Sequence, residues 1–330
     1  VNLYTNSNGE VNFNLESFNS GLVSVTVTKN NYKPYTGSVN IVNSNISVNI
    51  DVPAACPRYA TRIIKGVKVT SSPTWLVERL ESIGLKSINN VVDAANYVLM
   101  NSGHPMHTFD LDKMDGSMIN VRFAKKGEKF ISLDDVERKL DEFHLLICDE
   151  KKPVALAGIM GGLHSEISDL TTNVLLESAY FDPTVIRKGA KKLDLSTEAS
   201  RRFERDTDME AVVPALDELA CLIHEVAGGA ILKGIVDVYP KKNQKKTITF
   251  SKENCNSLIG IDLKEKDFNE IFKRLQINVE KNKKSLLCTI PSFRNDLDRE
   301  VDLCEEVARI VGYDNIPSAN QFSGSFISFV

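Results

Sequence analysis

The chain has 330 residues, of which 42% are hydrophobic and 25% charged, and it carries a formal net charge of −4. This balance excludes a disordered tail, a collagen and a small disulfide-stapled scaffold, and no apolar run approaches the ~20 residues that cross a bilayer. A slightly acidic chain has no global basic footprint, so any nucleic acid must be held by local patches.

Residues 1–47 are rich in Asn and Ser and poor in charge. The alternation Val23-Ser24-Val25-Thr26-Val27-Thr28 predicts half-buried strands, with turns at Asn30-Asn31 and Pro34-Tyr35-Thr36-Gly37. Two or three strands cannot close a sandwich, which needs about seven. The segment resembles a piece of an immunoglobulin-like module of the kind appended to secreted bacterial proteins. From about residue 50 the composition turns to α+β. Ser72-Pro73 opens a helix carrying Trp75, Leu76, Leu80 and Ile83, and Gly84 closes it. Residues 119–124 and 130–147 read as strands, with turns at Lys125-Lys126-Gly127 and Leu133-Asp134-Asp135. A short apolar strand, Val154–Ile159, runs into Gly161 and Gly162, and a long helix at 210–227 is stopped by Gly228-Gly229. The polar stretch Lys241–Lys246 reads as a linker. After it come a helix with Phe268, Ile271, Phe272 and Leu275 on one face, a hairpin turning at Lys281–Lys284, and a helix at 299–311. The tail from Pro317 is rich in Ser and Phe. Six cysteines (Cys56, Cys148, Cys221, Cys255, Cys288, Cys304) stand singly with no CxxC pair. They predict reduced, buried thiols and a cytoplasmic protein. Beginning at Val1 with no charged-then-apolar leader, the chain reads as a fragment or a fusion without a signal peptide.

Four clusters carry possible chemistry. In Asn96–Asp110, Gly103 and Pro105 break regular structure and put His104 and His107 on or beside a loop. A metal there lacks a third ligand at suitable spacing, so one functional histidine competes with a packed structural one. In Ala155–Gly162 the paired glycines let a backbone approach a ligand closely, or simply make a turn. Neither GK[ST] nor GxGxxG is present, which excludes a P-loop and a dinucleotide fingerprint. Glu177 follows in an apolar run, where a carboxylate is costly unless it is paired or used; the alternative is a strand end facing water. From Arg187 to Arg205, basic residues could track a phosphate backbone. The acids interleaved with them fit a solvated, salt-bridged face equally well. Finally, Asp302, Glu305, Glu306 and Arg309 share a helix stripe, with Asp296 just before it. Such a stripe suits Mg²⁺, and equally an acidic helix start that complements the macrodipole.

Taken in order, these strings resemble the β subunit of bacterial phenylalanine–tRNA ligase. They are Cys56-Pro57-Arg58-Tyr59, Asn90–Asp93, Gly103-x-Pro-Met-His-Thr-Phe-Asp110, Ala155–Gly162 and Leu176–Ala179, followed by Thr197–Arg205 and Glu305–Asp314. The resemblance covers residues from about 50 to 317. It implies two modules, a tRNA-editing domain at 51–238 and a small winged-helix-like domain at 245–317; the β-rich segment at 1–47 precedes them and a tail at 318–330 follows. The editing domain would hydrolyse tyrosine misattached to phenylalanine tRNA. The alternative is a module that only binds tRNA or a partner chain. Carried over residue by residue, His107 falls on the editing histidine and Glu177 on the acid that recognises the tyrosine hydroxyl. Asn96, Ala157, Gly158, Thr197 and Ala199 fall on the pocket wall, and Asp296, Asp302, Glu305 and Glu306 on magnesium positions. The implied partners are tRNA, tyrosine as ligand, and an α subunit in a heterotetramer; Mg²⁺ and ATP would serve the holoenzyme, and the fragment alone would not aminoacylate. Three departures from the family pattern are Ala95, where many relatives have Thr on the pocket rim, His104 in place of Gln, and Asp206-Thr207-Asp208-Met209 in place of a more glycine- and proline-like turn, which implies a different tRNA-facing surface. The chemistry is sensible, because a pocket for an apolar ring rejects an isostere with one more hydroxyl only about a hundredfold.

Overall fold

The computed structural model describes residues 21–27, 35–41, 46–282 and 285–317. The expected turn at Asn30-Asn31, the tip of the hairpin at 283–284 and the tail from 318 lie outside them. The chain divides into two compact units, with the boundary between Lys242 and Asn243.

In the first unit the elements run β1 (Gly21–Val27), β2 (Tyr35–Ile41), β3 (Ser47–Ile50), β4 (Arg58–Lys65), α1 (Thr74–Ser82), α2 (Asn90–Ser102) and β5 (Met106–Asp110). Next come β6 (Met118–Phe123), β7 (Lys129–Ile131), β8 (Glu137–Lys139), β9 (Leu145–Cys148), β10 (Pro153–Leu156), β11 (Met160–Gly161) and β12 (Asn173–Tyr180). The unit ends with α3 (Pro183–Lys192), α4 (Glu198–Phe203), α5 (Val212–Ala227), β13 (Ala230–Ile231) and β14 (Val236–Val238). Two sheets dominate. One has the order β11-β10-β9-β6-β3; the other has the order β13-β4-β12-β5, with β14 also paired to β4.

Both faces of β4 and β12 are covered, and strand alternation sorts their side chains. Tyr59, Ile63, Leu175 and Ala179 point into a core shared with Ile119, Val121, Ile147 and Leu156 of the other sheet. Ala60, Ile64, Val174 and Leu176 point the opposite way, against Val91, Val98, Leu216 and Leu219 of α2 and α5. The result is sheet on sheet, with a helical layer behind the second sheet. Helix α2 starts where the Asn89 side chain accepts from the N–H groups of Val91 and Val92, and ends at Gly103 with φ +75°. This helix was not legible as such in the sequence. Its Ala95 packs into the α2–α5 core and not on a pocket rim.

In the second unit, β15 (Thr247–Phe250), α6 (Lys252–Ile259), α7 (Glu265–Arg274), β16 (Asn278–Asn282), β17 (Ser285–Thr289) and α8 (Glu300–Val311) form an antiparallel sheet of order β15-β17-β16 with three helices. Phe250, Phe268 and Phe272 pack ring to ring at its centre, with centroids 5.0–6.4 Å apart. The fold is α+β throughout.

Two strand expectations change. Tyr35–Gly37, read as part of a turn, is strand, paired in antiparallel register with Val25–Val27. Ser47–Ile50, straddling the expected end of the β-rich segment, pairs in parallel with Met118–Val121 and so completes the first large sheet.

Candidate functional site

The central strand of the second sheet places the site. Along β12, Leu175, Glu177 and Ala179 share the face turned to the other sheet. Glu177 therefore sits in mid-strand and is 6% exposed, so the solvent-facing strand end is excluded. In register it lies opposite His107 on β5 and Thr61 on β4. His107 is thus a strand residue, whereas His104 stays in the preceding loop. A cavity of about 240 Å³ opens against this pair, and Asn96, His107, Gly158, Glu177, Thr197 and Ala199 all line it. Ala157 does not: it is fully buried beneath the cavity, with its N–H bonded to the carbonyl of Leu145. Its small side chain belongs to the core under the floor, and Gly158 with Ile159 forms the surface.

Glu177 is not an orphan. Its Oε2 accepts a hydrogen bond from the hydroxyl of Tyr59 at 2.9 Å, a fully buried residue on β4. Oε1 has no partner among the described residues. Burial raises the carboxyl from its ordinary 4.5 to about 8, against the opposing pull of the Tyr59 bond. At neutral pH the group is therefore mostly a neutral acid, able to donate as well as accept. Sequence reasoning missed Tyr59 as a site residue. It stood in a recognised string, but the contact joins positions 118 apart, and no local pattern reports it.

The His107 ring makes no hydrogen bond among the described residues and meets Phe109 edge-on at 4.5 Å. Enclosure by protein lowers its pKa from 6.5 to about 4, which leaves a neutral imidazole across the physiological range. Gly161 makes room for that ring: a Cβ there would stand 2.6 Å from Cε1 and 2.7 Å from Nε2. The glycine pair thus admits the protein's own imidazole on one side. On the other, a Cβ at Gly162 would meet the Val154 carbonyl oxygen at 2.6 Å. Thr197 acts through the backbone. Its hydroxyl donates to the Ile159 carbonyl at 2.8 Å and accepts from the Ser200 N–H at 3.0 Å. It caps α4 and ties that helix to the floor of the cavity.

His104 is 2% exposed, and neither ring nitrogen has a hydrogen-bond partner among the described residues. It packs on Phe203, its pKa lowered by burial to about 4. Among the described residues no group of three or more His, Cys, Asp or Glu side chains is placed to hold a metal ion. The magnesium candidates of the second unit are held by arginines instead. Asp296 takes Arg294 at 2.6 Å, while Glu306 is gripped by Arg294 at 3.1 Å and Arg309 at 2.6 Å. Asp302 caps α8 by accepting from the N–H groups of Asp298 and Arg299, and Glu305 points to solvent. In this arrangement the four carboxylates do not fit a cation site. The basic run splits in two. Arg187, Lys188, Lys191 and Lys192 lie exposed on α3, and Arg201, Arg202 and Arg205 on or just after α4.

Comparison with known proteins then bears on the whole chain. Residues 55–228 match the family described as B3/4 domain, and residues 248–313 the family described as tRNA synthetase B5 domain. The chain is 49% identical over 287 residues to the phenylalanine–tRNA ligase β subunit of Geobacter sulfurreducens, covering 86% of this chain and 36% of that protein. To the β subunit of Protochlamydia amoebophila it is 45% identical over 279 residues, covering 84% and 35%. It therefore spans about a third of the length of these relatives. A solved N-terminal fragment of the phenylalanyl-tRNA synthetase β-subunit from Pyrococcus horikoshii shares 17% identity at a TM-score of 0.41, over 83% of this chain and 76% of that one.

Proposed function

The chain belongs to the phenylalanine–tRNA ligase β-subunit family through its B3/4 and B5 domains, and from that premise we propose that its first unit hydrolyses tyrosine esterified to phenylalanine tRNA. The observation that carries the reading is a buried carboxyl group with one free oxygen in the wall of a largely apolar, amino-acid-sized cavity, facing a neutral imidazole across the sheet.

The cavity's volume is below the ~300–1,000 Å³ of sites for drug-sized ligands. Leu99, Ile147, Leu156, Ile159 and Phe203 offer apolar surface to a ring. Glu177 Oε1 selects among rings. A phenol hydroxyl satisfies it, whereas phenylalanine would bury it unmatched, a difference of about 1–3 kcal/mol, or roughly 5- to 150-fold. Asn96 and His107 are then left for the ester end. Hydrolysis adds a water oxygen to the ester carbonyl and breaks the bond between the acyl carbon and the ribose oxygen, giving free tyrosine and a free RNA hydroxyl. A neutral His107 suits holding the ester or the water through a hydrogen bond. Aminoacylation, with its ATP and Mg²⁺, and pairing with an α subunit belong to the assembled enzyme.

Calorimetric titration with tyrosine and with phenylalanine, repeated on Glu177→Ala, tests the reading. Tyrosine is expected to bind at least about fivefold tighter than phenylalanine, with the preference abolished in the variant. Equal binding of both amino acids, or a preference that survives the substitution, refutes it. If neither binds, a module that only docks RNA or a partner takes its place.

A further inference from the structure

A second cavity of about 400 Å³ lies beside the first, lined by Arg201, Arg202, Arg205, Glu198, Asp206 and Thr207, with Gly103 completing it. We propose that this cleft binds the phosphodiester preceding the 3′-terminal nucleoside of an RNA whose aminoacyl end occupies the neighbouring pocket. The inference rests on the ester-hydrolysis reading above and adds the RNA-backbone contact to it.

Three features carry it. The first is charge. Three guanidinium groups meet here with two carboxylates that are already engaged. Glu198 takes Arg202 at 2.6 Å and Arg201 at 3.5 Å, and Asp206 accepts from the hydroxyl of Tyr180 at 2.8 Å. The Arg205 side chain is exposed and has no partner among the described residues, and Arg201 is more than half exposed. Guanidinium forks match the two unesterified oxygens of a phosphodiester.

The second is a buried donor without an acceptor. Thr207 lines the cleft at 7% exposure, and its shielded Oγ1 makes no hydrogen bond among the described residues. A buried hydroxyl left unmatched is costly, and a phosphate oxygen would satisfy it.

The third is continuity. Glu198 lines both cavities. Helix α4 is the shared wall, with Thr197, Ala199 and Phe203 at the amino-acid pocket and Arg201 and Arg202 at the cleft. One helical turn, about 5 Å, separates Glu198 from Arg202. An ester seated by His107 would thus have its nucleotide backbone led directly over the arginines.

The test measures binding of the trinucleotide CpCpA and of a fluorescein-labelled 12-nucleotide RNA ending in that sequence to the full chain and to Arg201→Gln/Arg205→Gln and Thr207→Val. Tyrosine titration runs in parallel. The double variant is expected to weaken RNA binding at least tenfold and to flatten the slope of log affinity against log salt by about one per lost phosphate contact. Tyrosine affinity should stay within twofold, since neither arginine lines that pocket. Thr207→Val should weaken RNA binding several-fold with an unchanged melting temperature, because its hydroxyl bonds nothing among the described residues. RNA affinity and salt slope equal to wild type in the double variant overturn the proposal. Competition by inorganic phosphate or AMP as strong as by CpCpA also overturns it, in favour of a free-phosphate site. RNA binding lost on arginine substitution in a chain that ignores tyrosine leaves the cleft assigned and sinks the reading of the pocket instead.

Discussion

Substituting Glu177 by Gln separates burial of the acid from its ionisation. Gln keeps the volume and an acceptor for the Tyr59 hydroxyl but cannot ionise. The folded-state pKa of Glu177 is raised from 4.5 to about 8. Its contribution to stability is therefore fully present below pH 4.5 and is lost as the pH climbs to about 8. At ~1.4 kcal/mol per unit, full ionisation costs about 5 kcal/mol, of which about 4 falls between pH 5 and pH 9. Water entering the cavity lowers this figure, but half of it remains easy to measure. His104 and His107, lowered from 6.5 to about 4, act in the opposite sense: they lose stability as the pH falls through that window. They are unchanged in the variant, so the difference between wild type and Glu177→Gln cancels them. The single tryptophan, Trp75 on α1, stacks edge-on against Tyr97 of α2 and reports unfolding of the first unit alone. Urea denaturation followed by its fluorescence should show the variant gaining on wild type steadily from pH 5 to about pH 8 and levelling off by pH 9. A difference that moves by less than about 1 kcal/mol over that range refutes the claim that Glu177 is held neutral by burial.

Two further outcomes are expected. Gly161→Ala forces a Cβ into the His107 imidazole; displacing the ring by about 1 Å should cut tyrosyl-ester hydrolysis roughly 100-fold. A hydrolysis rate within threefold of wild type shows that His107 does not position the reacting groups. Titration with Mg²⁺ should leave the melting temperature of the second unit unchanged, alike in wild type and in Asp302→Ala with Glu306→Ala, because those carboxylates already hold arginines and helix N–H groups. A saturable rise in wild type that the double variant lacks refutes this.

The readable parts of the site were those written locally. An acid inside Leu175–Ala179 is anomalous by composition alone, and glycines beside a short apolar strand mark close approach whatever approaches. Alternation identified the strands, but a strand buried on both faces does not say which face meets helices and which meets another sheet. That ambiguity hid Tyr59 as the partner of Glu177, whereas Ala95, on α2, was sent to the pocket rim by the family resemblance alone. Helix α2 was obscured because Asn, Ala and Asn dilute its apolar stripe. The acidic stripe of α8 failed for a related reason: spacing placed Asp302, Glu305 and Glu306 correctly on a helix, but Arg294 reaches Glu306 from outside it.

The parallel pairing of β3 with β6 fixes how short this unit can be made. Ser47–Ile50 is the edge strand of the first large sheet, locked to it by side-chain hydrogen bonds in which the Asn49 amide donates to Asn120 and the Asn120 amide donates to Asp51. A version trimmed to begin at residue 51 would leave Met118–Phe123, with its Ile119 and Val121, as a bare edge, and such edges recruit strands from other molecules. Four residues of otherwise unremarkable chain are thus a seal against self-association, and anyone excising the unit should cut before Ile46.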